Sequence, residues 1–522
     1  MATLSRGVSL NVGMRLWHLE TGAERIALLL ERYRAAALVL ATVLYLAVTI
    51  GISLWRPFWY DELFTHYMAR QPAAGIREAL KEGVDQLPLP YFLAVRAGQR
   101  VFGEGELAAR MPSVIGYWLG CLCLFHFVRR RTTAVYGFLA IAFALSSSFA
   151  YRYAFEARPY ALMFGFGALA LVCWQWATEN RRRPAAIAGM ALAVMAGVYS
   201  HYYAILLVCP IAVGEFVRLL RLRRIDWPVW LALLPSVVPL ASAELGTNLA
   251  RYGANFWSAP RPSFFFVFYE RMLQSLLLPG AFLLVVLALY YALGIGTRQD
   301  AKPTTPAPPL HEVAAVTALA GLPFFGYAVA VLVTNALVPR YVMPAILGLA
   351  VLYSWLAYFG PRSRAVGVIA LLVLAGATGM NRLLELRSMA RERAQAPGLA
   401  LPEAAVSEPG PIVIENPLFF FEASHRSPYR SRLFYLVDPK SAPRYSSTHL
   451  DPGLPLLKRI AEVNVEDFDT FIAKHRRFTV YRKGDASYGE GWILDHLLAS
   501  GARLELKERK GSDRVFLAVL PD

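Results

Sequence analysis

Two adjacent acidic residues, Asp61 and Glu62, follow the first long apolar segment and come directly after the aromatic-rich residues 55–60. A carboxylate held at a membrane surface can take a proton from an acceptor hydroxyl, and such general-base catalysis contributes roughly 10²–10⁴-fold to a rate. An alternative interpretation is that Asp61 is the N-cap of a short helix that runs to Met68. The pair is the first candidate for catalytic chemistry.

Arg152, Glu156 and Arg158 form a second charged group within a short segment, residues 151–160, that is also rich in aromatic side chains. A single arginine at the end of a membrane span is commonly an anchor that extends its charge toward water. Two arginines on either side of a glutamate instead favour a polar site beside the lipid.

His201 and Arg340 are two further candidates, and each comes at the predicted end of an apolar segment. An interfacial histidine is a functional candidate by default, with a hydrogen-bonded structural role as the alternative. The guanidinium of Arg340 presents forked donors that suit a lipid phosphate, and the alternative role is an interfacial anchor.

These candidates lie between apolar segments that are long enough to cross a membrane. The 522-residue chain is 56% hydrophobic, with a mean hydropathy of +0.41, and soluble domains are only ~45–50% apolar. The excess falls in blocks of roughly 18–23 residues, the helix length that crosses ~30 Å of hydrocarbon. We predict about eleven spans, at residues 35–55, 111–128, 132–150, 159–177, 185–200, 202–217, 228–246, 274–295, 313–335, 341–359 and 364–380.

The distribution of charge predicts how the spans are oriented. The net charge is +16, from 53 Lys and Arg against 37 Asp and Glu. Nucleic-acid binding is not predicted, because the basic residues cluster between apolar blocks as the positive-inside rule requires. Clusters such as residues 129–131 and 181–183 follow even-numbered spans, so these junctions are predicted to be cytoplasmic. The N-terminus is then cytoplasmic, and with eleven spans the C-terminus is periplasmic.

Three regions follow from this pattern. Residues 1–34 mix Arg and Glu and are predicted to form a cytoplasmic amphipathic segment. Residues 35–380 form the transmembrane domain with external catalytic loops. Residues 381–522 are predicted to be a small periplasmic α/β domain, with strands at residues 411–414, 478–481, 503–508 and 514–520 and a helix at residues 491–500.

No metal site is predicted. The four cysteines all lie inside apolar blocks, where they are interpreted as small buried hydrophobic residues. Asp467 and Asp469, which form the Asp-x-Asp pair of the tail, are interpreted as structural. The sequence predicts no cofactor but leaves a divalent cation open.

In this order the motifs resemble those of the GT-C glycosyltransferases, specifically the bacterial relatives of protein O-mannosyltransferases and of aminoarabinose transferases. The resemblance covers most of residues 35–380. It is carried by residues 60–62, 88–91, 102–103, 106–112, 156–160, 201–202 and 339–341. It implies a polytopic α-helical, GT-C-like membrane protein with a small soluble α/β C-terminal domain, located in the bacterial inner membrane.

The resemblance also implies an activity. Such enzymes move a sugar, with inversion, from a polyprenyl-phosphate carrier to an acceptor hydroxyl or phosphate on the outer face of the membrane. The acceptor is a lipid-linked molecule, a polysaccharide or a protein, and the other partner is the lipid bilayer itself. The sugar and the length of the carrier lipid are left open.

The same resemblance implies roles for individual residues. Three acidic residues would be catalytic, with Asp61 as the base, Glu62 orienting it or the acceptor, and Glu156 as the second acidic residue of the site. The donor phosphate would be bound by Arg340, Arg158 and Arg152. Substrate would also be contacted by Tyr60, His201 and Tyr341. Arginines are suited to this role, because negative charge develops on the phosphate as the sugar departs and cations stabilise that charge.

Two other classes of protein remain as alternatives. The first is a multi-span transporter or lipid flippase of the cell envelope, which would usually show repeats, broken helices and charges near the middle of the membrane. No repeat is seen, and the candidate polar residues cluster at one face. The second is a sensor without catalytic activity, against which the Asp61–Glu62 pair argues.

Overall fold

The structure is a computed structural model and describes residues 21–252, 258–292, 305–360, 365–395, 401–438, 454–484 and 492–521. The chain forms two compact units. Unit 1 combines Met1–Leu54, Arg110–Ala241 and Ala259–Leu386, and unit 2 combines Trp55–Ala109, Ser242–Ser258 and Arg387–Asp522. Residues 1–20 of the predicted amphipathic segment lie outside the described residues. The three sequential regions predicted above are a different division of the chain and remain a proposal.

Helices dominate the chain up to residue 395. In chain order they are α1 (Arg34–Trp55), α2 (Tyr60–Arg70), α3 (Ala73–Glu82), α4 (Leu89–Phe102), α5 (Glu106–Arg129), α6 (Ala134–Ser146), α7 (Ser148–Arg152), α8 (Tyr160–Thr178), α9 (Arg183–Ser200), α10 (Val208–Leu222), α11 (Trp227–Leu231), α12 (Ala243–Tyr252), α13 (Phe264–Ala292), α14 (Leu310–Ala320), α15 (Leu322–Val329), α16 (Ala345–Phe359) and α17 (Ala365–Gln395).

Within the described ranges, seven helices are apolar and long enough to cross a membrane, and nine spans result if two bent helix pairs each count as one. The pairs are α6 with Ser148–Phe155, bent by 74°, and α14 with Leu322–Thr334, bent by 55°. Two shorter apolar helices are Trp227–Ala241 and Ala345–Phe359. Every predicted span falls on one of these segments, which confirms the polytopic helical architecture. The number eleven stays a prediction.

The surface of unit 1 is suited to hydrocarbon. Large apolar side chains are widely exposed, including Leu278 at 82% and Leu332 at 80%. Soluble proteins rarely expose contiguous apolar areas of this kind. The exposure therefore agrees with helices that face lipid rather than water.

Close packing of α5 against α8 depends on two glycines. A Cβ atom on Gly165 would lie 2.3 Å from the Gly116 carbonyl oxygen, and a Cβ on Gly116 would lie 2.9 Å from the Ala161 carbonyl oxygen. Small residues allow this backbone approach, which is a common way for membrane helices to associate. The crossing fixes the N-terminal half of α8, where the site described below begins.

Ion pairs join helix ends at the opposite end of α8. Arg131 binds the buried Glu312 and also Glu179 at 2.8 Å, and Glu179 binds Arg130 at 2.8 Å. The network connects the ends of α5 and α8 to the first turn of α14. A 19-residue helix such as α8 is roughly 28 Å long, so Tyr160 at its start is remote from this network.

The C-terminal part of unit 2 is a sheet with helices. The helices are α18 (Glu403–Ser407), α19 (Pro417–Arg426), α20 (Phe468–Lys474) and α21 (Trp492–Ala499), and the strands are β1 (Ile412–Ile414), β2 (Leu433–Val437), β3 (Asn464–Asp467), β4 (Arg477–Arg482), β5 (Arg503–Lys510) and β6 (Asp513–Val519). The six strands lie in the order β3-β2-β1-β4-β6-β5. The predicted small α/β domain is confirmed.

The direction of the strands changes across this sheet. β1 pairs in parallel with β2 and β4, and β2 pairs in parallel with β3, whereas β6 is antiparallel to both β4 and β5. All three residues of β1 are buried, as expected for a central parallel strand covered on both faces. Asp467 ends β3 and caps α20 by accepting a hydrogen bond from the Thr470 N–H at 3.2 Å.

Candidate active site

The acidic pair of unit 2 lies in the first turn of α2. Trp59 is the N-cap, with an extended backbone, so Asp61 and Glu62 occupy the second and third helical positions. Carboxylates are stabilised here by the exposed N–H groups and the positive end of the helix dipole. The interpretation of Asp61 as the N-cap of a helix ending at Met68 is therefore wrong, because the helix runs from Tyr60 to Arg70.

The two carboxylates of this pair differ in burial and bonding. Glu62 is fully buried, and its Oε2 accepts a hydrogen bond from the Trp59 N–H at 3.4 Å, which is the backward contact of a capping box. Asp61 is only half-buried. Glu62 thus holds the end of the helix, and Asp61 is the more accessible of the two.

The charged group of unit 1 lies where the chain turns from α7 into α8. Arg152 forms an ion pair with Glu156, whose side chain is fully buried. Arg158 is 8% exposed, and its carbonyl oxygen accepts a hydrogen bond from the Ser113 hydroxyl of α5 at 2.9 Å. The Arg158 N–H also donates to the Glu156 carbonyl oxygen at 2.7 Å. The structure therefore brings the three predicted residues together at the start of α8.

An aromatic cluster stands beside this group. The His201 ring lies 4.8 Å from the Tyr341 ring and 5.4 Å from the Tyr160 ring, centroid to centroid. The guanidinium carbon of Arg340 lies 5.6 Å from the centroid of the Tyr160 ring, within the range of a cation–π contact. Three of the predicted residues, His201, Arg340 and Tyr341, are thus neighbours.

His201, between two spans, is a neutral donor in this cluster. Burial, together with the positive charges of Arg158 and Arg340, lowers its pKa to about 3. Its Nδ1 accepts a hydrogen bond from the Tyr203 N–H at 3.1 Å. The proton of the neutral ring is therefore on Nε2, which can donate to a ligand.

Tyr160 is a further candidate site residue, to which the sequence analysis assigned no role. Its side chain is 1% exposed, and its hydroxyl has no hydrogen-bond partner among the residues that the structure describes. A buried hydroxyl in this state costs free energy, which a bound acceptor atom would recover. Its place in the motif of residues 156–160 was the available sequence signal.

Two further buried arginines were assigned no role in the sequence analysis. Arg110 is fully buried and donates to the Ser53 carbonyl oxygen in the last turn of α1 at 2.7 Å, which satisfies one of the free carbonyls at a helix end. Arg382 is 6% exposed and stacks on the Tyr151 ring at 4.1 Å. Its position just beyond the last predicted span was the available signal.

The unit 1 cluster is rich in hydrogen-bond donors. Arg158 and Arg340 carry positive charge, and the Tyr160 hydroxyl and the neutral His201 ring add donors without charge. A ligand that suits this set is an anion with several acceptor oxygens, such as a phosphate. Over the described ranges, no three His, Cys, Asp or Glu residues are grouped so as to hold a metal ion.

Comparison with known proteins tests the resemblance. Residues 86–241 match the family model described as dolichyl-phosphate-mannose-protein mannosyltransferase. The structure of ArnT from Cupriavidus metallidurans in the apo state superposes with a TM-score of 0.52 at 15% identity, covering 93% of this chain and 98% of that chain. The predicted resemblance to GT-C glycosyltransferases is confirmed.

The likeness of fold to the apo ArnT structure extends over almost the whole chain. A second structure of the same ArnT, bound to undecaprenyl phosphate, matches with a TM-score of 0.49 at 15% identity, over 92% of this chain and 98% of that chain. A search of curated protein sequences found no match. The family match includes Arg152, Glu156, Arg158 and His201 and ends before Arg340, so the roles of the site residues remain predictions.

Proposed function

We propose that this chain is an inverting glycosyltransferase that moves a sugar from a polyprenyl-phosphate carrier to an acceptor at the periplasmic face of the bacterial inner membrane. The observation that carries the proposal is the cluster of Arg158, Arg340, Tyr160 and neutral His201, since donors of this kind suit a phosphate. The family match and the GT-C fold support sugar transfer as the reaction class.

On the donor side, the leaving group is the carrier phosphate. When the bond between the sugar C1 and the phosphate oxygen breaks, the electron pair goes to that oxygen and negative charge accumulates on the phosphate. Arg340 and Arg158 hold positive charge in this cluster before the reaction begins, and preorganised cations of this kind stabilise the transition state more than the ground state. Arg152 has a different role, because it forms an ion pair with Glu156 and neutralises the charge of that buried carboxylate.

On the acceptor side, Asp61 takes the proton of the attacking group, and the acceptor oxygen bonds to C1 from the opposite face, which gives inversion. Asp61 is less buried than Glu62, which favours Asp61 of the two for this proton transfer. Glu62 supports it by capping α2. Tyr60 and Tyr341 are proposed substrate contacts.

Sugar transfer is tested with purified protein in liposomes. Undecaprenyl phosphate carrying radiolabelled mannose or aminoarabinose is supplied with a lipid extract, a polysaccharide or a protein acceptor. Movement of label into the acceptor is expected, and Arg340→Ala should reduce it. Movement of intact donor across the bilayer without covalent transfer would contradict the proposal and indicate a flippase.

The proposed orientation has a separate test. A phosphatase fused to the C-terminus should be active if residues 381–522 are periplasmic, and a fluorescent protein fused there should be dark. Cytoplasmic fluorescence without phosphatase activity would mean that the number of spans differs from eleven by an odd number.

A further inference from the structure

The N-terminus of α2 is held by a residue far away in the chain. The backbone N–H of Tyr60, the residue before Asp61, donates a hydrogen bond to the carboxylate of Glu422 on α19. The first N–H groups of a helix have no acceptor within the helix, and the N-cap Trp59 makes no side-chain cap hydrogen bond. Glu422 therefore supplies an acceptor that the local sequence lacks.

The same helix fixes how α2 is rotated about its axis. The Phe421 ring lies against three aromatic rings of α2, with centroid distances of 6.0 Å to Tyr60, 5.3 Å to Phe64 and 5.7 Å to Tyr67. These three residues are spaced four and three apart, so they share one face of the helix. Because that face is packed against α19, the direction in which Asp61 projects from α2 is also set.

A polar contact extends the packing toward the other end of α2. The Tyr67 hydroxyl lies within hydrogen-bond distance of His425 Nδ1, at 2.8 Å. The His66 ring lies 5.7 Å from the His425 ring. The contacts with α19 therefore extend along α2 for about two turns. Of the contacting residues of α19, Glu422 is the one that binds next to Asp61.

The charges around Glu422 come from three elements of unit 2. Burial raises the pKa of this carboxyl, while Arg426 of α19 and Lys483 after β4 lower it and Glu62 of α2 raises it. Two carboxylates, those of Glu62 and Glu422, thus act on the first turn of α2, where the positive end of the helix dipole favours them.

We propose that Glu422 is a positioning residue for sugar transfer, which acts by holding the Tyr60 N–H and thereby fixing the first turn of α2 and the direction of Asp61. This inference rests on the proposed function, in which Asp61 is the base. The C-terminal sheet domain then belongs to the catalytic apparatus, because one of its helices sets the geometry of the catalytic carboxylate.

The first test needs no substrate. Glu422→Met keeps the length of the side chain and removes the acceptor, and Glu422→Gln restores a neutral acceptor oxygen. Hydrogen exchange of the full-length protein should show residues 60–62 exchanging roughly tenfold faster in Glu422→Met, the effect of losing a charge-assisted hydrogen bond. Most of the protection should return in Glu422→Gln. Asp467→Ala is the matched control, since it removes the cap of α20 in the same unit and should leave this exchange unchanged.

The second test separates positioning from general stability. In the liposome assay, Glu422→Met should lower kcat about tenfold with an unchanged KM for the labelled donor, and Glu422→Gln should recover most of it. In an Asp61→Asn background the Glu422 substitution should not lower kcat any further, because there is no base left to position. If Glu422→Met does not accumulate, Glu422→Gln alone should lower kcat by about twofold or more in the wild type and have no effect beside Asp61→Asn.

The outcomes distinguish this inference from the proposed function. Unchanged exchange at residues 60–62, an unchanged kcat, or equal losses in both backgrounds would each overturn the positioning role of Glu422. Full transfer activity of Asp61→Asn itself would instead overturn the assignment of Asp61 as the base.

Discussion

Arg152 and Glu156 form an ion pair in which only one partner is shielded from solvent, since the Glu156 side chain is fully buried and that of Arg152 is 47% exposed. Removing one partner of such a pair leaves a charge buried with fewer partners, which is more costly than losing both charges. Water screens the exposed Arg152 side chain, which reduces the contribution of the ion pair to the free energy of unfolding.

We therefore expect Arg152→Ala to lower the free energy of unfolding by about 1–2 kcal/mol. The double variant Arg152→Ala with Glu156→Gln should recover most of this loss, because no unpaired carboxylate remains. Thermal unfolding of the detergent-solubilised variants measures both effects. Equal stability of wild type and Arg152→Ala would show that the ion pair contributes nothing.

Asp61→Asn should reduce sugar transfer by roughly 10² or more, because asparagine keeps the shape of aspartate and cannot accept the proton. Expression, membrane insertion and thermal stability should stay close to wild type, since Asp61 is not the helix cap. Glu62→Gln should reduce sugar transfer less than Asp61→Asn does, because the glutamine amide oxygen can still accept the hydrogen bond from the Trp59 N–H. If Asp61→Asn keeps full activity in the liposome assay, Glu156 becomes the leading base.

Arg340→Ala should weaken binding of undecaprenyl phosphate by about 10–100-fold, the effect of losing charge-assisted hydrogen bonds. Arg340→Lys should recover part of the affinity, since a point charge replaces a forked donor. Arg130→Ala is the matched control, because this arginine pairs with Glu179 at the far end of α8. Unchanged affinity of Arg340→Ala in a direct lipid-binding titration would reduce Arg340 to an interfacial anchor.

Tyr160→Phe should weaken undecaprenyl phosphate binding by about 3–10-fold while leaving the melting temperature unchanged or higher, because it removes a hydroxyl that is buried without a described partner. Tyr117→Phe is the opposite case. The Tyr117 hydroxyl donates to the Ala144 carbonyl oxygen at 2.7 Å, so its removal should lower stability and spare lipid binding. A stability loss in Tyr160→Phe with normal binding would contradict the role proposed for this hydroxyl.

Acid should destabilise unit 2 through His66. Burial, together with the charges of His425 and Arg70, lowers the pKa of His66 from 6.5 to about 3. The unfolded chain therefore binds this proton more readily than the folded one, and stability should fall as pH drops from about 6.5 toward 3. In His66→Gln the decline over this range should be shallower, as measured by chemical denaturation at a series of pH values. An identical decline would mean that His66 does not titrate on unfolding.

Much of the transmembrane architecture could be predicted from the sequence, because the length of an apolar block is set by the thickness of the bilayer. Structural features that do not depend on the length of an apolar block were missed. The bend of 74° after α6 falls at three serines, residues 146–148, inside one predicted span that carries no charge, so the length of the span gave no sign of the bend. The close approach of Gly116 and Gly165 depends on which faces of two helices meet, and a single sequence does not contain that information.

The candidate site was predicted in part. Charged and aromatic residues at the ends of spans identified Arg152, Glu156, Arg158, His201, Arg340 and Tyr341, which the structure places in one unit. The start of α2 was misplaced, because Asp61 is a good N-cap residue whereas the actual N-cap, Trp59, is not. The missing cap contacts come from Glu62 and from Glu422, and the second of these is too distant in sequence for any local rule to find.

The hydrogen bond between Tyr67 and His425 joins residues that are 358 positions apart, and this separation has a consequence in time. At roughly 5–20 residues per second of synthesis, α2 is made about 20–70 s before α19. During that interval the helix that carries Asp61 has neither its packing partner nor the Glu422 acceptor. If Asp61 and Glu422 have the roles proposed above, a chain that is still being inserted lacks the contacts that fix Asp61, and the full rate of sugar transfer is expected only after the C-terminal domain has folded.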